Sequence, residues 1–182
     1  MNYQRPTIRM ASLALLVMGA LSFPPVLRAA NEEDSRQVSK MLSQARAQAF
    51  RLSEDTSEME SFVQADISWR GHVDAVDRIR DDVNLMGRQL ARLVEARSTA
   101  SPWQRTAVDR MTPLLKELAS NTSAVIADLN ESPHRLQADD YKEYLEANSD
   151  EAAQLASLIA DFVDYGKARH KLERLANRLE LR

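Results

Sequence analysis

Apolar residues recur at alternating steps of three and four along most of the chain, and polar residues fill the positions between them. On an α-helix this spacing gathers the recurring positions on one face. In the first segment they are Val38, Leu42, Ala45, Ala49, Leu52, Thr56, Met59 and Val63. The pattern predicts a first helix over residues 32–65, with a break at Asp66-Ile67-Ser68.

Two further stripes predict the second and third helices. The second stripe runs from Trp69 to Leu93 and predicts a helix over residues 68–97. Ser101 followed by Pro102 is a strong helix start, because proline at the first helical position loses no backbone hydrogen bond. We therefore expect a third helix over residues 102–130, with a kink at Pro113.

The fourth stripe begins near Asp139-Asp140 and predicts a helix over residues 139–180. Asn148-Ser149 is followed by two acidic residues and could restart the helix, so it could consist of two pieces. After Gly166 the apolar positions continue in a shifted frame. The last turns, from Lys171 to Arg182, are therefore expected to project past the other helices or to pair with another chain.

These helices predict an all-α fold: an up-and-down antiparallel four-helix bundle with an extended C-terminal helix, formed by residues 31–182 as one domain. A helix of about 30 residues spans about 45 Å, and short turns join such helices in opposite directions. A helical hairpin that dimerises into a bundle is the alternative, because the same stripes suit coiled coils.

Residues 1–30 have the pattern of a secretory signal peptide. Arg5 and Arg9 precede an apolar run from Met10 to Leu21, and Pro24-Pro25 and small residues follow. The sequence therefore predicts a bacterial protein that is periplasmic or secreted after cleavage of this leader. An uncleaved leader acting as an anchor is the alternative, and it is the only way in which the pattern predicts membrane contact.

Composition and charge exclude several classes of function. Without residues 1–30 the chain has 21 Lys and Arg against 27 Asp and Glu, a net charge of −6. The charges look well mixed along the sequence, so we expect no nucleic-acid partner. The chain has no cysteine, which excludes disulfides and thiolate metal ligands.

His72 is the sharpest candidate for chemistry, because it occupies the apolar stripe of the second helix and should point into the core. A core histidine can ligate haem or a metal, with Met59, Met86 or Met111 completing a haem site. The alternative is a neutral histidine that hydrogen-bonds a neighbouring helix. No spacing of a second metal ligand accompanies His72, so we expect no cofactor and no metal.

Asn121 and Thr122 interrupt the third stripe and predict a polar layer in the core, for which His72 is a candidate partner. Such layers usually fix helix register rather than perform chemistry. Asp128, Asn130 and Ser132 have the spacing of a calcium loop, but Pro133 stands where that loop needs glycine.

Aromatic residues offer weaker candidates. Tyr141, Tyr144 and Tyr165 could form a rim around a ligand or pack half-buried. Trp69 and Trp103 each open a helix, so we expect them to seal opposite ends of the core.

The sequence contains no nucleophile elbow, phosphate loop or Ser/His/Asp set, so we expect no enzyme. The leading hypothesis is an exported interaction or scaffold module of the cell envelope, which binds a protein partner or a second copy through an exposed helix face. The alternative is a carrier of a small ligand, haem or metal centred on His72.

Overall fold

The computed structural model describes residues 34–65, 67–131, 136 and 138–181. The predicted leader over residues 1–30 lies outside the described residues, and so do Asp66 and the loop positions 132–135 that include Ser132 and Pro133. All regular structure in the described part is helical, and four long helices pack against one another. They are α1 (Arg36–Ser61), α2 (Trp69–Glu95), α3 (Pro102–Glu131) and α4 (Asp139–Arg178), with a 3₁₀ turn at Ala96–Thr99.

Serine caps fix the starts of α1 and α2. The Ser35 hydroxyl accepts a hydrogen bond from the Val38 amide, and the Ser68 hydroxyl accepts one from the Gly71 amide. Helix α1 is shorter at both ends than the predicted span of 32–65, because Ser35 caps it and tighter three-residue turns replace α-helical bonding from Phe62 onward. The second helix likewise ends at Glu95, before the predicted 97.

Helix α4 is continuous across Asn148-Ser149, so the alternative of two separate pieces, which the sequence left open, does not occur. Both residues are buried, and the Asn148 side chain bonds a neighbouring helix instead of capping its own. The helix ends with a Schellman-type cap: Glu180 has a left-handed φ of 54°, and the Leu181 amide donates to the Ala176 carbonyl at 3.0 Å.

The four helices enclose one apolar core. Helix α1 packs against α2 and α4, and α3 also packs against α2 and α4. Most predicted stripe positions are buried, which is the reason amphipathic helices associate. The largest fully buried side chains are Tyr141, Leu42, Leu52, Met59, Ile79, Met86, Leu93, Met111, Leu118, Leu145, Leu155 and Ile159.

Two sets of contacts mark the ends of this core. At the first, called the Asp34 end, Asp34 contacts Trp103 at the start of α3 and Arg169 late in α4. At the second, called the His72 end, His72 near the start of α2 contacts Phe62 and Tyr141, which lie at the end of α1 and the start of α4. Within the described residues, no helix combines the length and apolarity needed to cross a bilayer.

Candidate functional site

His72 lies in the core and is 3% exposed, as its stripe position predicts. Its Nδ1 lies 2.7 Å from the hydroxyl of Tyr141, which is itself fully buried. The Phe62 ring meets the imidazole edge-on, with 5.4 Å between the ring centroids. The imidazole is therefore held by one hydrogen bond and by two aromatic rings from different helices.

Burial sets the protonation of this pair. It lowers the pKa of His72 below its usual value, because the imidazolium would lose its hydration. Burial and the nearby Asp128 carboxylate raise the pKa of Tyr141, so the phenol keeps its proton. In the tautomer protonated at Nε2, the Tyr141 hydroxyl donates to Nδ1.

For metal binding, this arrangement supplies the neutral imidazole of His72 without a cluster of further ligand side chains among the described residues. Among the described residues, no group of three or more His, Cys, Asp and Glu side chains is arranged to hold a metal ion. The candidate calcium loop includes Ser132 and Pro133, which lie outside the described residues, and its first position, Asp128, is buried on α3. His72 thus has the surroundings of a core histidine that joins α2 to α4.

The predicted polar layer forms between α3 and α4, without His72. The Thr122 hydroxyl is buried, donates to the Leu118 carbonyl at 2.7 Å and lies 3.4 Å from Asn148 Oδ1. Asn121 is half-buried at the rim, where its amide donates to Glu151. From the sequence, Asn148 was considered only as part of a possible helix restart and not as a core residue, although it occupies a stripe position between Leu145 and Ala152.

A second polar network closes the Asp34 end. The Trp103 indole donates to Asp34 Oδ1 at 2.6 Å. Gln104, fully buried, accepts from the Ser35 and Ser101 amides and donates to the Ser35 carbonyl. This network joins the residues that lead into α1 to the first turn of α3, and the polar residue beside Trp103 was its one signal in the sequence.

Helix α4 packs closely on the same tryptophan. Tyr165 meets Trp103 edge-on at 5.5 Å between ring centroids, and the Arg169 guanidinium lies over the Tyr165 ring at 5.9 Å. A Cβ added at Gly166 would lie only 2.8 Å from the Trp103 ring. Trp103 therefore seals this end, as predicted, whereas Trp69 at the other end is 38% exposed and only its indole N–H is anchored, by the Leu129 carbonyl.

Shallow grooves lie between the helices in the described part of the chain. One of about 560 Å³ runs between α3 and α4 past Pro113 and Leu158, and one of about 710 Å³ lies between α1 and α4 beside the exposed Phe50. The neighbouring groove at Tyr165 has a volume of about 330 Å³. Their linings include neither His72 nor the Thr122 layer, so the buried polar groups and the open surfaces are separate features.

Folding sorts the charges that look mixed in the sequence. Under the antiparallel helix order that is proposed below, the described chain divides into an Asp34 half (residues 34–48, 85–111 and 159–181) and a His72 half (the other described residues). The Asp34 half has 13 Lys and Arg against 7 Asp and Glu, a net charge of +6. The His72 half has 6 against 17, a net charge of −11.

Helix dipoles do not explain this sorting. Acidic residues stabilise a helix N-terminus and basic residues a C-terminus. Helix α4 follows that rule, with Asp139 and Asp140 in its first turn and Arg178 in its last. Helices α1 and α3 have no acidic residue in the first turn and no basic residue in the last. The sign of charge therefore follows the end of the domain and not the direction of each helix.

Burial and neighbouring like charges raise the pKa of two acids in the His72 half. Burial and the neighbouring Asp55 raise the pKa of Asp82. Burial and the neighbouring Glu117 raise the pKa of Glu151, although the Asn121 amide partly offsets this. A surface that maintains such repulsion loses some folding stability, which is expected where the charge serves an interaction.

Compared with known proteins, the chain matches no protein-family model, no curated protein and no solved structure. The geometry and charge of the chain itself are therefore the basis for inferring its function.

Proposed function

We propose that this protein is an exported interaction module of the bacterial cell envelope, built as an antiparallel up-and-down four-helix bundle and without catalytic activity. The helix order is supported by the contacts at the two ends: α1 and α3 begin where α4 approaches its end, and α2 and α4 begin together at His72. The leader pattern over residues 1–30 supports export.

The observation that carries this proposal is the separation of charge on the surface around a filled core. The core is occupied mainly by apolar side chains, and two pairs of its buried polar residues, His72 with Tyr141 and Thr122 with Asn148, join different helices. The surface, in contrast, offers two regions of opposite charge. Complementary surface potential gives partners their orientation and speeds their encounter.

A cross-linking experiment in the envelope tests this function. The gene is expressed with its own leader, and a photo-reactive residue replaces exposed Glu143 on α4. We expect one dominant adduct that disappears when Glu146 and Asp150, exposed beside it, are both changed to Lys. Intact mass of the periplasmic protein should show loss of about 30 residues. Retention of the leader in a cytoplasmic product refutes export, and the absence of a charge-dependent adduct refutes the interaction module.

The buried neutral imidazole of His72 supports a second candidate, the carrier of a small ligand, haem or metal. An absorption spectrum and a metal analysis of the natively purified protein test it. A chromophore or stoichiometric metal that His72→Phe abolishes would establish the carrier. The interaction module instead requires that His72→Phe leaves the cross-linked adduct unchanged, so this one variant separates the two functions.

A further inference from the structure

The C-terminal part of α4 has a second apolar stripe that faces away from the core. Leu172, Leu175, Ala176 and Leu179 recur at helical spacing, and Leu172 and Leu179 are 66% and 60% exposed. This stripe lies about 120° around the helix from Gly166, which faces Trp103 in the core. Leu181, just past the helix cap, is also exposed.

This segment has few polar ties to the rest of the described chain, although Leu175 and Ala176 in it are half-buried. Among the described residues, the hydrogen bonds and ion pairs that join α4 to other parts of the chain end at His170, which faces Asp34. The helix continues to Arg178, which is about 12 Å farther. Its Schellman-type cap ends it in an ordered way, so the leucines are presented on a formed helix.

Cationic side chains flank one side of the stripe along the whole segment, and the exposed Glu173 and Glu180 lie on its other side. Lys167, Lys171, Arg174 and Arg178 recur every three or four residues and are all exposed. They belong to the half of the domain that has a net charge of +6. Most of the exposed large apolar side chains lie in this half too: Val94, Tyr165, Leu172, Leu179 and Leu181. Apolar and cationic groups on one helix match the acyl boundary and the headgroups of an anionic bilayer.

We infer that the C-terminal part of α4, from Lys167 to Leu181, docks on an anionic lipid surface and holds the protein on the membrane with its acidic half facing away. This inference rests on the helix order proposed above and adds a lipid partner to the proposed interaction module. It differs from the leader-anchor hypothesis, because it requires no membrane span.

A second copy of the chain fits this surface less well than a lipid surface does. Its acidic half would complement the cations, but it offers the leucine stripe little apolar surface. Trp69 and Phe50 are the exposed large apolar side chains in the described part of that half, and they lie on different helices. Exposed apolar and basic groups occur together in the Asp34 half, and the His72 half has no matching apolar surface. This difference favours a lipid surface over a second copy as the partner.

Vesicle co-sedimentation tests the inference. The protein is expressed with its own leader, purified without refolding and identified by intact mass, so that failure of export is seen separately. It is mixed with vesicles of phosphatidylglycerol and phosphatidylcholine, or of phosphatidylcholine alone. We expect binding to the anionic vesicles only, weakened as salt is raised.

Two tail variants and two matched controls locate the surface. Lys171→Gln/Arg174→Gln/Arg178→Gln should weaken binding about 100-fold, at roughly fivefold per cation. Leu172→Gln/Leu179→Gln should weaken it at least tenfold. The first control, Arg51→Gln/Arg70→Gln/Lys116→Gln, makes the same change in charge at exposed positions of the His72 half. The second control, Phe50→Gln, removes an exposed apolar group far from the segment, and both should bind as the wild type does.

Every other outcome overturns the inference. Wild-type protein that ignores anionic vesicles, or tail variants that bind as well as the wild type, exclude this segment as a lipid-docking surface. Salt-sensitive oligomers in sedimentation velocity, lost in the tail variants and without vesicle binding, would assign the surface to a second copy instead. Unchanged far-UV circular dichroism of the variants guards against loss of folding as the cause.

Discussion

The closeness of Gly166 to Trp103 gives the sharpest quantitative test of the Asp34 end. Gly166→Ala adds one methyl group 2.8 Å from the Trp103 ring, well inside contact distance. The ring cannot easily retreat, because its indole N–H is held by Asp34 at 2.6 Å and its face meets Tyr165. Overpacking of this kind costs about 2 kcal/mol, whereas alanine gains about 1 kcal/mol over glycine in a helix. We expect a net loss of about 1 kcal/mol in the free energy of unfolding.

Gly87 provides a matched control on α2. A Cβ at this position meets nothing within 4 Å, so Gly87→Ala should keep the full helix gain of about 1 kcal/mol. Urea denaturation followed by far-UV circular dichroism measures both variants. The two substitutions are chemically identical, and we expect them to move the midpoint in opposite directions. In thermal unfolding each should shift the midpoint by about 2–4 °C.

A double-mutant cycle identifies the cause. In a Trp103→Leu background the close contact is gone, so Gly166→Ala should stabilise as Gly87→Ala does. If Gly166→Ala stabilises the wild-type protein by about 1 kcal/mol, the Trp103 ring moves without cost. The description of this end as a fixed network would then be wrong.

Three further predictions concern protonation and the helix cap. As the pH falls below about 6.5, the wild type should lose stability relative to His72→Phe, because the unfolded histidine binds a proton that the buried imidazole, with its lowered pKa, does not. Glu151→Gln should stabilise the protein by a few tenths of a kcal/mol at pH 7 and not near pH 4, because the pKa of this carboxyl is raised in the folded state. Glu146→Gln, at an exposed position of α4 away from the helix ends, is the control. Glu180→Gly should slow amide exchange at Leu181 about fivefold, since glycine adopts the left-handed cap without the cost of about 1 kcal/mol. The first prediction is wrong if the wild type and His72→Phe show the same pH dependence of stability. The second is wrong if Glu151→Gln and its control do so. The third is wrong if the Leu181 amide exchanges at an unchanged rate in Glu180→Gly.

The periodic pattern was sufficient to predict four helices and most of the core. Leu42, Ile79, Leu118 and Leu155 lie one in each helix, and each is buried as its stripe position requires. Helix ends were predicted less well, because caps and terminal turns depend on single hydrogen bonds such as that from the Val38 amide to Ser35. Periodicity carries no information about those bonds.

Partners across the core could not be predicted in the same way. Stripe positions show that His72 and Thr122 point inward, but not that His72 meets Tyr141 or that Thr122 meets Asn148. These pairs depend on how the helices are positioned along their axes relative to one another, and the helices are far apart in sequence. The fully buried Gln104 was missed for the same reason, since its bonds go to the first residues of another helix.

The sequence by itself determined the helices, their apolar faces and the absence of cysteine chemistry, because these depend on local spacing and composition. Only the tertiary structure decided where the charges lie. Each helix has acidic and basic stretches that nearly cancel along the chain, and packing brings the stretches of one sign to the same end. The separation into halves of +6 and −11 arises from the relative placement of whole helices, which no local pattern encodes.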